Sequence, residues 1–140
     1  VANQLQFGIK HTEMIDQGFH VNMSDAPAVD RDGEILEYSR LNDMTIQAWS
    51  PYQYGFFEGV FIGHVKFPEL NKTLHEMALK YDTTHTGIAS AWILRHPANM
   101  QVIAGTMNLK RIREISQAST IVLSRKDWYA IYLAAGNILP

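Results

Sequence analysis

The stretch Q-V-I-A-G-T-M-N-L-K-R-I-R-E, residues 101–114, reads as a short strand, a tight turn and the start of a helix. Residues 101–104 carry the strand, Gly105 and Thr106 interrupt it, and Asn108 suits the N-cap of a helix with Arg111 in its first turn. Where a strand turns into a helix, unpaired backbone N–H groups and the positive end of the helix dipole converge, so the stretch predicts an anion site. Thr106 adds a hydroxyl donor, and Arg111 adds a permanently charged fork that fits a phosphate. The alternative for the same residues is an ordinary capped helix after a strand, with Arg111 solvated. The rest of the chain bears on the choice.

Working outward, residues 44–49 (M-T-I-Q-A-W) form a second strand, and residues 1–9, with apolar Val1, Leu5, Phe7 and Ile9, form a third. Helical material follows each. A short helix is expected over 13–17, and one over 34–41 capped by the acids of a polar loop. The clearest amphipathic helix runs over 69–81, with Pro68 at its start. A further helix follows Asp82, Thr83 and Thr84, carries Ile88, Ala91, Trp92 and Leu94, and stops before Pro97. The S-R-K-D at 124–127 reads as a capping box launching a last helix, with Trp128, Ile131, Tyr132 and Ala135 on one face and Gly136 at its end. Strands alternating with helices predict parallel pairing with helical crossovers. Three such strands cannot close a barrel, so the chain reads as part of a larger domain. A first strand with Val1, Leu5 and Phe7 exposed at an unpaired edge is expected to associate.

Residues 52–68, Y-Q-Y-G-F-F-E-G-V-F-I-G-H-V-K-F-P, show no clear period. A loop of that length in a compact domain is usually functional, and glycines among so many rings suit a surface that a ligand approaches closely. The alternative is a packed lid of aromatics without a ligand.

Composition narrows the function. With 140 residues, 46% hydrophobic and 19% charged, the chain can bury a core, and a net charge of -2 argues against nucleic acid or an anionic membrane as partner. The absence of cysteine removes disulfides and thiolate metal sites and points to a reducing, cytoplasmic setting. The D-R-D-G at 30–33 lacks the first ligand of a calcium loop, Ala28 standing there, and Leu79 breaks the zinc-protease pattern begun by His75 and Glu76. The sequons at Asn22 and Asn71 carry little weight without a secretory route.

Five separated motifs then fall in one order: V-A-N-Q-L-Q-F at 1–7, T-I-Q-A-W-S-P at 45–51, Gly55 and Gly59 beyond it, A-W-I-L-R-H-P at 91–97, and V-I-A-G-T-M-N with Arg111 and Glu114. Together they resemble the aldo-keto reductases, over nearly the whole chain, and most nearly a bacterial branch of general oxidoreductases ending A-A-G-N-I-L-P. The resemblance implies an α/β fold, a partial (β/α)8 TIM barrel in which residues 1–140 supply strands six to eight with their helices. A whole barrel of this kind runs to about 250 residues or more. It implies NADPH as cofactor and a small-molecule carbonyl substrate, with the missing N-terminal half of the barrel as partner.

By that resemblance, Gln4 bonds the nicotinamide carboxamide and the Trp49 ring stacks on the nicotinamide. Ser50, Pro51 and the backbone near Gly55 cover the pyrophosphate. Gly105, Thr106, Met107 and Arg111 take the adenosine 2′-phosphate, and Glu114 approaches the adenine. Other subgroups often have Lys where Gly105 stands, which leaves NADPH preference to Thr106 and Arg111. The family's catalytic tyrosine, lysine, histidine and aspartate belong to earlier strands, and none of Tyr38, Tyr52, Tyr54, Tyr81, Tyr129 or Tyr132 lies in the catalytic context. No catalytic residue is expected in the chain. The alternative to a reductase portion is a non-catalytic nucleotide-binding or assembly half-barrel.

Overall fold

A computed structural model of the chain describes residues 1–56 and 58–140. Its frame is a three-stranded parallel sheet in the order β1 (Ala2–Gln6), β2 (Thr45–Trp49), β5 (Met100–Val102). Register runs Gln4 to Gln47 to Gln101, with Gln6 opposite Trp49. Between β1 and β2 lie α1 (Glu13–Phe19) and α2 (Ile35–Leu41). Between β2 and β5 come a hairpin of β3 (Gln53–Tyr54) with β4 (Gly59–Val60), then α3 (Pro68–Lys80) and α4 (His85–Leu94); α5 (Leu109–Gln117) and α6 (Arg125–Ala134) follow β5.

Alternation along the strands separates the two faces of the sheet. Phe7, Ile46, Ala48 and Met100 are buried beneath the helices, whereas Gln4 and Gln101 are exposed on the opposite face. The helix α4 holds the covered side together. Every residue from 87 to 93 is buried, as expected of a helix apolar all round. Trp92 stacks on Trp128 of α6, with ring centroids 4.6 Å apart. Each indole N–H donates to the other residue's backbone carbonyl, Trp92 Nε1 to Trp128 O at 3.1 Å and Trp128 Nε1 to Trp92 O at 2.9 Å. Two large rings are thereby buried without an unsatisfied donor.

The predicted N-caps form, but the box at 124–127 closes only by half, because the Ser124 N–H donates to Tyr81 Oη rather than to the Asp127 carboxylate. Thr84 Oγ1 accepts the Gly87 N–H, Asn108 Oδ1 accepts those of Lys110 and Arg111, and Ser124 Oγ accepts that of Asp127. The acids before α2 act as expected, Asp32 taking the N–H groups of Glu34 and Leu36. The buried Asp127 gathers charge-assisted bonds from Lys80 Nζ (2.8 Å), Tyr81 Oη (2.5 Å) and Ser124 Oγ (2.6 Å), and so ties α3 to the start of α6.

Several expectations need correction. The first strand stops at Gln6 rather than Ile9, because Gly8 and His11 exchange backbone hydrogen bonds in a tight turn. Gly8 is required there: a Cβ would stand 2.3 Å from the Pro51 carbonyl oxygen. The last strand spans Met100–Val102 rather than 101–104, because its pairing with β2 ends at Ala48, whose carbonyl takes the Ile103 N–H. The aperiodic stretch 52–68 contains the β3–β4 hairpin, whose paired runs are too short to show alternation; Phe57 of that stretch lies outside the described residues. Asn71, noticed only as part of a sequon, staples the stretch to α3. Its Oδ1 accepts the Gly63 N–H at 2.6 Å, and its Nδ2 donates to the carbonyls of Phe61 and Phe67 at 2.9 Å. Finally, Leu5 and Phe7 turn toward the helices, so the expected apolar exposed edge reduces to Val1.

Candidate functional site

Where β2 and β5 end, their C-terminal ends and the hairpin enclose a cleft of about 390 Å3. Trp49, Ser50 and Pro51 form one wall, Tyr52, Gln53 and Val60 of the hairpin a second, and Gly105, Thr106 and Arg111 the third. Placement at the carboxyl ends of parallel strands is where α/β folds bind ligands. Two residues at the rim hold left-handed backbone: Gly105 at φ +57, which glycine adopts freely, and Ser50 at φ +47, which is strained for a residue with a side chain. The Ser50 carbonyl accepts the Gln53 N–H at 3.1 Å, closing the turn that carries the chain from β2 into the hairpin.

The turn from Gly105 into α5 differs from the expected array of open amides. The Lys110 and Arg111 N–H groups are already taken by Asn108 Oδ1 at 3.0 and 3.2 Å, and the Asn108 N–H is taken by Thr106 Oγ1 at 3.2 Å. A good cap and an open nest compete for the same donors, and here the cap holds them. What this turn offers an anion is the exposed Arg111 guanidinium and the Thr106 hydroxyl, whose hydrogen is left to donate while its oxygen accepts.

Tyr52, which sequence reasoning did not select, lines the cleft. Its hydroxyl lies 2.7 Å from Ser90 Oγ, and Ser90 donates to the Thr86 carbonyl at 2.7 Å, so Tyr52 donates its proton into the protein. Burial first, and the Glu114 carboxylate to a lesser degree, push the phenol up to about 12 against the lowering effect of the Ser90 bond. Tyr52 is thus a fixed, neutral ring in the wall. The only sequence signal for it was a serine on the buried helix α4 that needed a partner.

The structure therefore brings Trp49, Ser50, Pro51, Gly105, Thr106 and Arg111 into one cleft. The remaining predicted residues stand around it. Gln4 lies on the open sheet face, one level below the rung that pairs Gln6 with Trp49. Gly55 sits at the hairpin turn, where a Cβ would meet the Glu58 side chain at 2.7 Å. Met107 is 93% exposed. Glu114 is half-buried on α5, near enough for its charge to act on Tyr52. Among the described residues no group of three or more His, Asp or Glu side chains converges as a metal site would require.

The profile of the Aldo/keto reductase family matches residues 19–133. The chain belongs to that family. Two curated relatives are named 6-dehydroglucose reductase. The one from Agrobacterium fabrum is 29% identical over 136 residues, or 96% of this chain and 38% of the relative. The one from Novosphingobium aromaticivorans is 30% identical over 106 residues, or 75% of this chain and 34% of the relative. A crystal structure of a thermostable aldo-keto reductase in complex with the inhibitor epalrestat superposes with a TM-score of 0.63 at 23% identity, covering 96% of this chain and 39% of that one, and shares the fold. The chain thus spans less than two fifths of the length of these aldo-keto reductases. Membership of the family makes it part of an oxidoreductase lineage, and no helix among the described residues is long and apolar enough to cross a membrane.

Proposed function

We propose that the chain is the cofactor-binding portion of an NADPH-dependent reductase of aldehydes or ketones, with residues 1–140 standing as strands six to eight of a (β/α)8 barrel and their helices. The observation that carries this reading is that Trp49 and Arg111, an aromatic platform and a phosphate-matching fork, open into one cleft at the carboxyl ends of parallel strands. Helices on one face and an open, polar opposite face are what a segment of a barrel wall would have. The residues present suit a dinucleotide. Trp49 gives the nicotinamide a face, Ser50 and Pro51 with the hairpin near Gly55 flank the pyrophosphate, and Thr106 and Arg111 hold the 2′-phosphate. Met107 and Glu114 border the adenosine end, with the Tyr52 ring fixed beside them.

Bound NADPH would supply a hydride to a carbonyl carbon. This chain's part is to bind and orient the dinucleotide and to screen its nicotinamide from water. It contains no residue assigned to protonate the carbonyl oxygen, and the remaining barrel strands would furnish that acid. The relatives are named for reducing 6-dehydroglucose; we carry over a carbonyl compound as substrate class and leave the sugar to them.

One observation favours a second reading, a nucleotide-binding module without its own chemistry. Below Trp49, one whole level of the open face is a row of glutamines, so that level tolerates water. Intact mass with size exclusion separates the two. A companion polypeptide completing a barrel of about 250 residues or more, with NADPH-dependent carbonyl reduction, is expected for the reductase. A lone, monodisperse species that binds NADPH without turnover supports the module. The cofactor assignment itself is tested by titrating NADPH and NADH against the chain and Arg111→Ala. NADPH should weaken far more than NADH, and equal losses would sink the 2′-phosphate assignment.

A further inference from the structure

A line of side-chain amides crosses the open face of the sheet beneath the cleft. Gln4, Gln47 and Gln101 share one level of the three strands. Gln4 Nε2 donates to Gln47 Oε1 at 2.9 Å, and Gln47 Nε2 donates to Gln101 Oε1 at 3.1 Å. Residues two apart on a strand share a face at a separation of about 6.6 Å, so Trp49 stands on the same side one level above Gln47, toward the cleft.

A primary amide carries a donor nitrogen and an acceptor oxygen that a half-turn of its terminal bond exchanges. An isolated glutamine can offer a ligand either end. In this ladder Gln4 has its nitrogen turned to Gln47, which leaves Oε1 as the end that can accept. Gln47 is in turn held by its bond to Gln101.

Resting on the cofactor reading above, we propose that Gln47, braced by Gln101, orients the Gln4 amide so that its oxygen accepts an N–H of the nicotinamide carboxamide. The ladder thereby selects a ring bearing a carboxamide over one bearing a carbonyl without that donor. Gln47 and Gln101 are positioning residues and need not touch the cofactor. Run in the opposite sense, the ladder would offer the Gln4 nitrogen instead, and the two kinds of ring would bind alike.

The test uses NADP+ and its 3-acetylpyridine analogue, in which a methyl ketone replaces the carboxamide, titrated by calorimetry against the chain and its variants. The wild-type chain should prefer NADP+ by about tenfold, the usual worth of one hydrogen bond. Gln47→Met should bring the two affinities within about twofold of each other. Gln47→Glu, which can still accept from Gln4, should keep the preference. Arg111→Ala should weaken both ligands alike and leave their ratio unchanged. Equal affinities in the wild type, or a ratio untouched by Gln47→Met, would overturn the ladder's role while leaving the cofactor reading standing. Failure of the wild-type chain to bind either ligand would overturn that reading and the proposal with it. The side-chain amide NMR spectrum of the ligand-free chain checks the ladder directly and shows whether each variant folds. Gln4 should have two widely separated amide proton shifts that draw together in Gln47→Met, and free-amide shifts in the wild type would also overturn the proposal.

Discussion

The two faces of the sheet are built for different tasks from the same strands. On β2, Ile46 and Ala48 are wholly buried under the helices, while Gln47 between them belongs to the opposite, open face. The covered side bonds its two buried indoles internally, through the reciprocal contacts of Trp92 and Trp128. The open side keeps its polar groups available, with glutamine amides in line and Trp49 above them. A step of one residue along a strand thus separates what holds the fold from what can recognise a ligand. Substitutions on the two sides should fail differently.

The largest contrast is between Trp92→Ala and Gln47→Met. The Trp92 side chain is fully buried and stacked at 4.6 Å, so its removal should cost ~4 kcal/mol in urea unfolding. Gln47→Met on the open face should cost under ~1 kcal/mol, as expected of a solvated hydrogen bond. Similar losses for the two would erase the division between the faces.

Asp127→Asn comes next. Burial alone would raise the Asp127 carboxyl, but the bonds from Lys80, Ser124 and Tyr81 outweigh it and hold the group at about 2. A folded value below the unfolded one gives stability that is fully present above about pH 4. That stability is lost as pH falls through the folded value. Replacing the carboxylate should cost ~2 kcal/mol at neutral pH, the range for hydrogen bonds to a charged group. The gap between wild type and Asp127→Asn should close between about pH 4 and pH 2; a gap independent of pH over that window would mean that the charge is not what matters.

These contrasts also show which parts of the molecule the sequence could reveal. Helices with strong local chemistry, such as Thr84, Asn108 and Ser124 at their caps, were legible because each cap needs only residues adjacent in the chain. The parallel order followed from the alternation of strands and helices. Among the candidate site residues, Trp49 and Arg111 stand out in the sequence as an aromatic and a cation at strand and helix ends, and both line one cleft. Gly8 could not be read, because its need arises from the Pro51 carbonyl in the turn after β2. Nor could Tyr52, whose bond to Ser90 spans 38 residues, or the glutamine ladder, which exists only once register is set. The loss of the open amides at Asn108 is the reverse case. The residue that marked the helix start is the one that consumes its donors.

Arg111→Ala tests recognition at the cleft without touching the core. The residue is exposed, so the proposed phosphate contact would be partly screened and would fall at the lower end of the range for charge-assisted bonds. NADPH affinity should fall by about tenfold and NADH affinity by less than about twofold, while the urea midpoint stays within error of wild type. A lowered midpoint would show that Arg111 belongs to the fold as well as to the cleft.

The smallest expected effect is a charge held on the covered side. His20 is 1% exposed, with Nδ1 2.7 Å from Asp25 Oδ2 and Nε2 2.9 Å from the Ile138 carbonyl. The Ile138 carbonyl and the Asp25 carboxylate are both acceptors, so a ring protonated at both nitrogens satisfies both contacts and a neutral ring only one. The Ile138 carbonyl bond raises its pKa most; burial opposes it, and the Asp25 bond and the Asp25 and Asp16 charges raise it further. A folded value above the unfolded one gives stability fully present below about pH 6.5 and lost as pH rises through the folded value. Deprotonation removes one of the two bonds and frees the turn at Asp25 or the tail at Ile138. Release should stay local, since Lys10 Nζ still donates to the Ala135 carbonyl at 2.6 Å. NMR titration of His20 should give a midpoint above 6.5, with hydrogen exchange at residues 136–139 accelerating through that midpoint beyond its ordinary rise with pH. In His20→Asn that extra acceleration should vanish. A midpoint at or below 6.5 would mean that the buried ring is neutral, and the covered side would then hold no histidine charge at this position.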